Sequence, residues 1–489
     1  MLATAPYDPA VLRAQIVGLD TPLPRHHGAP APAINLDNAA TTPPLRSVQA
    51  AVERFLAVYS SVHRGAGLKS QAASAAYEQA RAVVGRFVGA RPGQHQTIFT
   101  RNTTEALNLL ARRIAIRPGQ VIISTQLEHH SNDLPWRAVA PVLHVRATSD
   151  GSLDLAHYAE LLRQYAGRVR LVAVTGGSNV TGHIPPIHDL AALAHAAGAE
   201  IAVDAAQLAP HRRIDIGDLA DPTHIDYVAL SGHKLYAPYG AGALVGRADT
   251  FQRGAPLLAG GGSVRQVSAA DVEWADGPAR EEAGTPNAVG AIALAAACLA
   301  LEEIGLEAIA AHEAALTAYA LDELARVPGL WLYGDPDPAT AETRLGVIPF
   351  CLDGHEPHLV AAMLSYEAGI AVRSGSFCAH PYVGRLLQSQ FTGCEPGQVG
   401  LVRASFGLYT TEDDVDTLVR TLRAIAAGDY DGLYEPDPER GGFRPVGWDA
   451  APESLFQLDN AASSIFLRRS PASCGGAGGS RPAESRSSP

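Results

Sequence analysis

A lysine placed just past an apolar strand is the residue in this chain best suited to covalent chemistry. Lys234 stands in Ser231-Gly-His-Lys-Leu-Tyr236, directly after the apolar run Tyr227 to Leu230. Lysines ordinarily sit on solvated surface. One drawn into apolar surroundings gives up its proton more readily, and the neutral amine is a nucleophile toward an aldehyde. Thirty residues earlier, Asp204 ends the run Ile201-Ala-Val-Asp204. A carboxylate at a strand tip can hydrogen-bond a pyridine nitrogen, keep it protonated and so make the ring an electron sink, with Gln207 within reach of the ring's phenolic oxygen. Thr103 and Thr104 open a helix after the run Thr97 to Thr100, where free N–H groups and the helix dipole favour a phosphate. His129, in Glu128-His-His-Ser-Asn132, follows another strand and can stack on a flat ring. Singly, each has an ordinary structural use, such as a helix cap or a core histidine. In this order they describe a site for pyridoxal 5'-phosphate, an aldehyde carried on a phosphorylated pyridine.

Such a site needs an element that delivers several strand tips to one edge. Short apolar runs at 97–100, 121–124, 142–145, 169–174, 200–203, 227–230 and 242–245 alternate with helix-period segments such as Glu105 to Arg113 and Ile187 to Ala197. This alternation predicts an α/β fold with a doubly wound, mostly parallel sheet and ligands at the carboxyl ends of its strands. After helices at 288–303 and 306–326, sparser strands at 330–333, 346–350, 370–373 and 402–406 and a last helix at 412–427 predict a smaller α+β domain. The expected organisation is an N-terminal arm (1–35) joining the small domain, a large cofactor-binding domain (36–303), the small domain (304–430), and an extended, mostly disordered tail (431–489). The tail's last twenty residues, mainly Ser, Gly, Arg, Pro and Ala, offer little apolar surface to bury.

Composition narrows the class. With 489 residues, 47% of them hydrophobic, the chain can build a large core. Its formal charge of -12 repels phosphate backbones, so nucleic acid is not an expected partner. No uncharged run is long enough to span a bilayer, and the first twenty residues carry Asp8, Arg13 and Asp20, so a cytoplasmic location without membrane association is expected. The five cysteines lack metal-type spacing, and neither a metal site nor a disulfide framework is expected.

Eight segments carry a resemblance to a known family. They are Leu36-Asp-Asn-Ala-Ala-Thr41, Val62-His-Arg-Gly65, Phe99-Thr-Arg-Asn-Thr-Thr-Glu-Ala106, Glu128-His-His-Ser-Asn132, Ser178-Asn-Val-Thr-Gly182, Val203-Asp-Ala-Ala-Gln207, Ser231-Gly-His-Lys234 and Glu282-Ala-Gly-Thr-Pro-Asn287. Together they resemble the class V aminotransferases of fold type I, and within them the cysteine desulfurase and selenocysteine lyase branch. The resemblance, running from about Leu36 to Ala427, implies a homodimer with pyridoxal phosphate at the interface. It implies that Thr103, Thr104, Ser231 and His233 hold the phosphate, with Thr285 reaching in from the neighbouring subunit. It also implies that Asn179 supports the ring's oxygen side and that Asn38, Asn179, Arg373 and Arg403 make a substrate side, with Arg403 pairing the substrate carboxylate.

Reaction type turns on one thiol. Arg373-Ser-Gly-Ser-Phe-Cys-Ala-His-Pro381 places Cys378 five residues after an arginine, as in the desulfurase branch. The expected reaction removes sulfur from L-cysteine, or selenium from L-selenocysteine, giving alanine and a Cys378 persulfide that a sulfur-acceptor protein can discharge. Lys234 would move the Cα proton, and Arg373, His380 or His129 would support the thiolate. Two features depart from the branch. Ser376 and Phe377 stand where relatives usually carry histidines, and the stretch from Cys378 to Arg403 is longer, with an insertion around Cys394. Two alternatives remain open: another class V enzyme, an aminotransferase, lyase or epimerase, with Cys378 structural, and a catalytically silent scaffold.

Overall fold

In a computed structural model, residues 7–63, 65–389, 400–439, 441–448 and 455 are described; the insertion around Cys394 and most of the expected tail lie outside them. The central sheet has seven strands in the spatial order His95–Thr100, Gly242–Arg247, Tyr227–Ser231, Glu200–Asp204, Val169–Thr175, Val121–Thr125, Val142–Val145. Only Gly242–Arg247 runs antiparallel to its neighbours; the remaining pairings are parallel. Alternation along the strands explains why both faces are covered. Ile123, Val172, Val203 and Leu230 enter one apolar cluster, shared with helices Arg46–Leu56, Leu68–Phe87 and Ala288–Ile304. Their neighbours Ile122, Leu171, Ala202 and Ala229 enter another, with Leu107 and Leu110 of helix Thr103–Arg113 and Trp136. A strand buried on both faces reads as a continuous apolar run, and parallel sheets favour that arrangement.

The small lobe has a four-stranded antiparallel sheet in the order Leu330–Leu332, Val347–Leu352, Leu401–Ser405, Arg373–Gly375. Its own core joins Phe350 and Val402 to Leu316, Met363 and Leu418 from helices Leu306–Leu324, Pro357–Ala368 and Glu412–Ala426. The run expected as one strand at 370–373 is divided: Ile370–Ala371 pairs with Ile34–Asn35, whereas Arg373–Gly375 joins the small sheet. That division turns the chain toward the central cavity just before Cys378.

The arm engages both lobes. Ile16 enters the large core, while Arg13 pairs with Asp414 of the small lobe at 3.1 Å. Past position 431, Tyr434–Pro436 and Phe443–Pro445 form an antiparallel hairpin against helix Pro357–Ala368, so that part of the expected extended tail is paired backbone. Gly182, at φ +76°, closes the turn after Asn179; a Cβ there would lie 2.4 Å from the Leu345 carbonyl oxygen, so this approach needs glycine. No single helix among the described residues is long and apolar enough to cross a membrane.

Candidate functional site

A cavity of about 460 Å³ opens at the carboxyl ends of the central strands and is closed on its other side by the small lobe. Every site residue expected from sequence lines it except Asn38, Thr285 and His380. Lys234 reaches it from the short turn after strand Tyr227–Ser231. Three donors converge on the carbonyl of the preceding residue, His233: the amide of Thr42 at 2.8 Å and the hydroxyls of Thr41 and Thr42, each at 3.1 Å. The lysine backbone is therefore fixed while its side chain faces the cavity. Burial brings its ammonium down to about 8, with Asp204 opposing the shift and Arg403 adding to it.

Asp204 is buried at the tip of strand Glu200–Asp204, where its Oδ1 accepts the Ala206 amide at 3.0 Å. Burial raises its pKa. His129 takes the Ser131 amide on Nδ1 at 3.0 Å, which leaves the proton of a neutral ring on Nε2. Burial, assisted by the charges of Lys234, His130 and Arg403, pulls this ring down to about 3, so it is neutral at physiological pH. A neutral ring suits stacking against an electron-poor pyridine. His233 is likewise brought down to about 4 by burial and the neighbouring ammonium.

At the phosphate end, Asn102 caps helix Thr103–Arg113 by accepting the Glu105 amide at 3.0 Å. The Thr103 hydroxyl is then buried without a partner, and an orphaned donor at a helix N-terminus fits a phosphate oxygen. Thr104 shares a 2.7 Å hydrogen bond with Ser131. An amine, a buried carboxylate, a neutral imidazole and an orphaned helix-terminal hydroxyl around one cavity fit a phosphorylated pyridine aldehyde.

The opposite wall comes from the small lobe. Arg403, 3% exposed, donates to the Asn179 carbonyl at 2.9 Å and to Asp37 at 3.1 Å, while its Nε has no partner. Burial lowers it to about 10, against the pull of Asp37, so the guanidinium stays charged. Arg373 meets the other oxygen of Asp37 at 3.2 Å. Cys378 is exposed and lies in the left-handed region at φ +55°, following Phe377 at φ +51°. Two bonds hold this unusual backbone: Asn179 Nδ2 donates to the Phe377 carbonyl at 2.7 Å, and the His130 amide donates to the Cys378 carbonyl at 2.8 Å. The histidines missing before the cysteine have counterparts beside this loop, where His130 and His380 stack with centroids 4.8 Å apart.

One expectation changes and three residues are new. Asn38 does not line the cavity: its amide donates to the carbonyls of Asn35 and Ser405, and its oxygen accepts from Tyr409 at 2.7 Å, so it anchors the N-terminal strand. Thr285, expected to serve the neighbouring subunit, lies away from this cavity, on a separate one of about 540 Å³ with Tyr77, Phe99 and Glu282. Sequence reasoning passed over Asp37, Ser131 and Glu128, although all three stand inside quoted motifs. Glu128 is fully enclosed, pushed up to about 8 by burial, and accepts from Thr125 and Asn132 at 2.6 Å each and from the Thr175 amide at 3.0 Å. It locks the turn that carries His129. A buried acid after an apolar strand was the available signal.

Comparison with known proteins follows the same lines. The family model described as aminotransferase class-V matches residues 34–418. A cysteine desulfurase of Haloferax volcanii is 36% identical over 83% of this chain and 93% of its own length; one from Dickeya dadantii is 39% identical over 81% and 92%. Among solved structures, the apo cysteine desulfurase of Thermococcus onnurineus NA1 superposes with a TM-score of 0.71 at 35% identity, covering 81% of this chain and 95% of that one. The Escherichia coli cysteine desulfurase CsdA, in an S-sulfonic acid form, gives 0.72 at 31% identity over 87% and 100%. With a family model matched along most of its length and relatives of this identity covered nearly end to end, the chain belongs to the aminotransferase class-V family.

Proposed function

We propose that the protein is a pyridoxal-phosphate-dependent cysteine desulfurase that takes sulfur from L-cysteine, releases L-alanine and stores the sulfur as a persulfide on Cys378. The class-V family is pyridoxal-phosphate-dependent, and both sequence relatives and structural neighbours are cysteine desulfurases. The observation that carries the reading is the sharing of one cavity by the Lys234 amine, the Arg403 guanidinium and an exposed Cys378 thiol. When bound, the cofactor supplies a carbonyl for the substrate amine and an electron sink at its ring.

The chain's own groups divide the remaining work. Thr103, Thr104, Ser231 and His233 would hold the phosphate, Asp204 the ring nitrogen, Gln207 and Asn179 the ring's oxygen side, and His129 one face. Arg403 receives the substrate carboxylate, and the buried Nε without a partner is a donor awaiting it. Arg373 adds positive charge at the cavity mouth. Lys234, brought to about 8, takes the Cα proton when neutral and later returns a proton to carbon. The Cys378 thiolate attacks the substrate sulfur; an S–S bond forms as the C–S bond breaks, and its electron pair stays with carbon. One cysteine and one enzyme thiol yield one alanine and one enzyme persulfide, with no external oxidant.

The active form is a homodimer in this reading, because Thr285 lies away from its own chain's cavity. A sulfur-acceptor protein would discharge Cys378, whose exposure gives access. A reducing cytoplasm suits a mechanism that needs Cys378 as an exposed thiol. The deciding experiment incubates the cofactor-loaded enzyme with L-cysteine and a reductant and measures sulfide and alanine together. Equal yields support the proposal. Alanine without sulfide, or neither product, overturns it and returns the chain to the wider class of class-V reactions.

A further inference from the structure

At the opposite edge of the central sheet from Lys234, two imidazoles converge on one carboxylate. His195 ends helix Ile187–Ala196, and His224 and Asp226 lie just before strand Tyr227–Ser231. His195 Nε2 is 2.9 Å from Asp226 Oδ2, and His224 Nε2 is 3.2 Å from Oδ1. The other nitrogen of each ring meets a backbone carbonyl: Nδ1 of His195 that of Pro222 at 2.7 Å, and Nδ1 of His224 that of Asp221 at 2.5 Å. A carbonyl oxygen only accepts, so both rings carry a proton on Nδ1. In neutral rings both Nε2 lone pairs then point at a carboxylate that has no proton to give. The two rings stack with centroids 4.1 Å apart, and Arg247 lies 3.4 Å from the same carboxylate. A cation between the three groups would receive both lone pairs and the carboxylate.

We propose that His195, His224 and Asp226 form a binding site for a divalent transition ion of the zinc class, separate from the catalytic cavity. Imidazole nitrogen and carboxylate oxygen are the ligand types such ions take, at 2.0–2.2 Å, so tetrahedral neighbours stand about 3.4 Å apart. The three ligand atoms lie within 4.8 Å of one another, with the two imidazole nitrogens facing the two oxygens of Asp226. The surroundings match those of a metal site. Each imidazole donates its second N–H to a carbonyl, which fixes the ring, and the Ile201 amide holds Asp226 Oδ2 at 2.8 Å. Arg247 makes its shorter contacts with Asp249, at 3.1 and 2.8 Å, so it can leave Asp226 without losing its main partner. His95 has a buried Nε2 without a partner. The ion would tie the loop before the lysine-bearing strand to a neighbouring helix, a structural role.

The test uses the cofactor-loaded protein with Cys378→Ser, so that the cavity thiol does not compete, stripped with a chelator and titrated with Zn²⁺. One equivalent should bind at micromolar or lower concentration and raise the thermal midpoint. In His224→Gln and, separately, in the partly exposed His195→Gln, affinity should fall at least tenfold, with circular dichroism confirming the fold. Co²⁺ in place of Zn²⁺ should give visible bands of a nitrogen and oxygen environment that both variants lose. Failure to bind one equivalent at these concentrations, or binding in both variants equal to that of the parent, overturns the site and leaves two imidazoles paired with Asp226 alone.

Discussion

Sulfur and oxygen at position 378 separate a desulfurase from every other enzyme that this cavity can support. Cys378→Ser leaves Lys234, Asp204 and Arg403 in place, so L-cysteine should still bind. A serine hydroxyl is far less nucleophilic at neutral pH than a partly ionised thiol, and sulfide release should fall on the order of 100-fold or more. Mass spectrometry of the unaltered protein after cysteine treatment should find one added sulfur on the Cys378 peptide. Sulfide release by the serine variant at the unaltered rate would remove the persulfide mechanism. Lys234 offers a second test through pH. Only the neutral amine attacks an aldehyde, and the folded group sits near 8, below the usual lysine range. Covalent attachment of pyridoxal phosphate to the stripped protein should therefore quicken about tenfold per pH unit below 8 and level off above it. A rate that keeps climbing to pH 10 would show an ordinary, solvated lysine. Lys234 and Asp204 were legible from sequence because each ends or follows an apolar run, and a charge in that setting is conspicuous. Glu128 also follows such a run, but its importance, like that of Asp37, lies in partners such as Thr175 and Arg403, distant in sequence and brought close only by the fold.

Elements place the cavity walls through a few long-range ties, and Asp37 is the tie at the small-lobe side. It lies on the N-terminal segment beside Ser405, and its two oxygens meet Arg403 and Arg373. Removing one partner of a buried ion pair leaves the other charge uncompensated, a loss of up to about 3–5 kcal/mol. Arg403 keeps the Asn179 carbonyl and the face of Phe377, 4.8 Å from its guanidinium, so Asp37→Asn should cost less, about 2 kcal/mol in denaturant unfolding. A saturating carboxylate ligand such as L-alanine should recover part of that loss, and recover more in the variant than in the unaltered protein. Equal protection of both would mean that Arg403 does not receive the carboxylate. The central strands were readable because burial on both faces makes them uninterrupted apolar runs. Helices Arg46–Leu56 and Leu68–Phe87 were not singled out, for neither has a side-chain N-cap to announce its start. The division at 370–373 was equally hidden, since two strands of two and three residues in different sheets look like one short run.

The whole molecule carries the remaining claim, that one chain does not complete its own site. Thr285 lines a cavity separate from the one that contains Lys234. If Thr285 serves the phosphate end of a neighbouring subunit, two inactive variants should rescue each other. Lys234→Ala lacks the amine but presents a sound Thr285; Thr285→Asp has the amine but presents a carboxylate that repels phosphate. In a two-fold dimer each site would combine Lys234 of one chain with Thr285 of the other, so a mixed dimer contains one site with both residues intact. Random exchange after brief unfolding and refolding of equal amounts puts half the molecules in mixed dimers, restoring about a quarter of the unaltered activity. Each variant treated alone should stay inactive. No rescue, despite mixed dimers demonstrated with differently tagged chains, would place Thr285 outside the neighbour's site, whereas rescue at a quarter requires two chains for every working cavity.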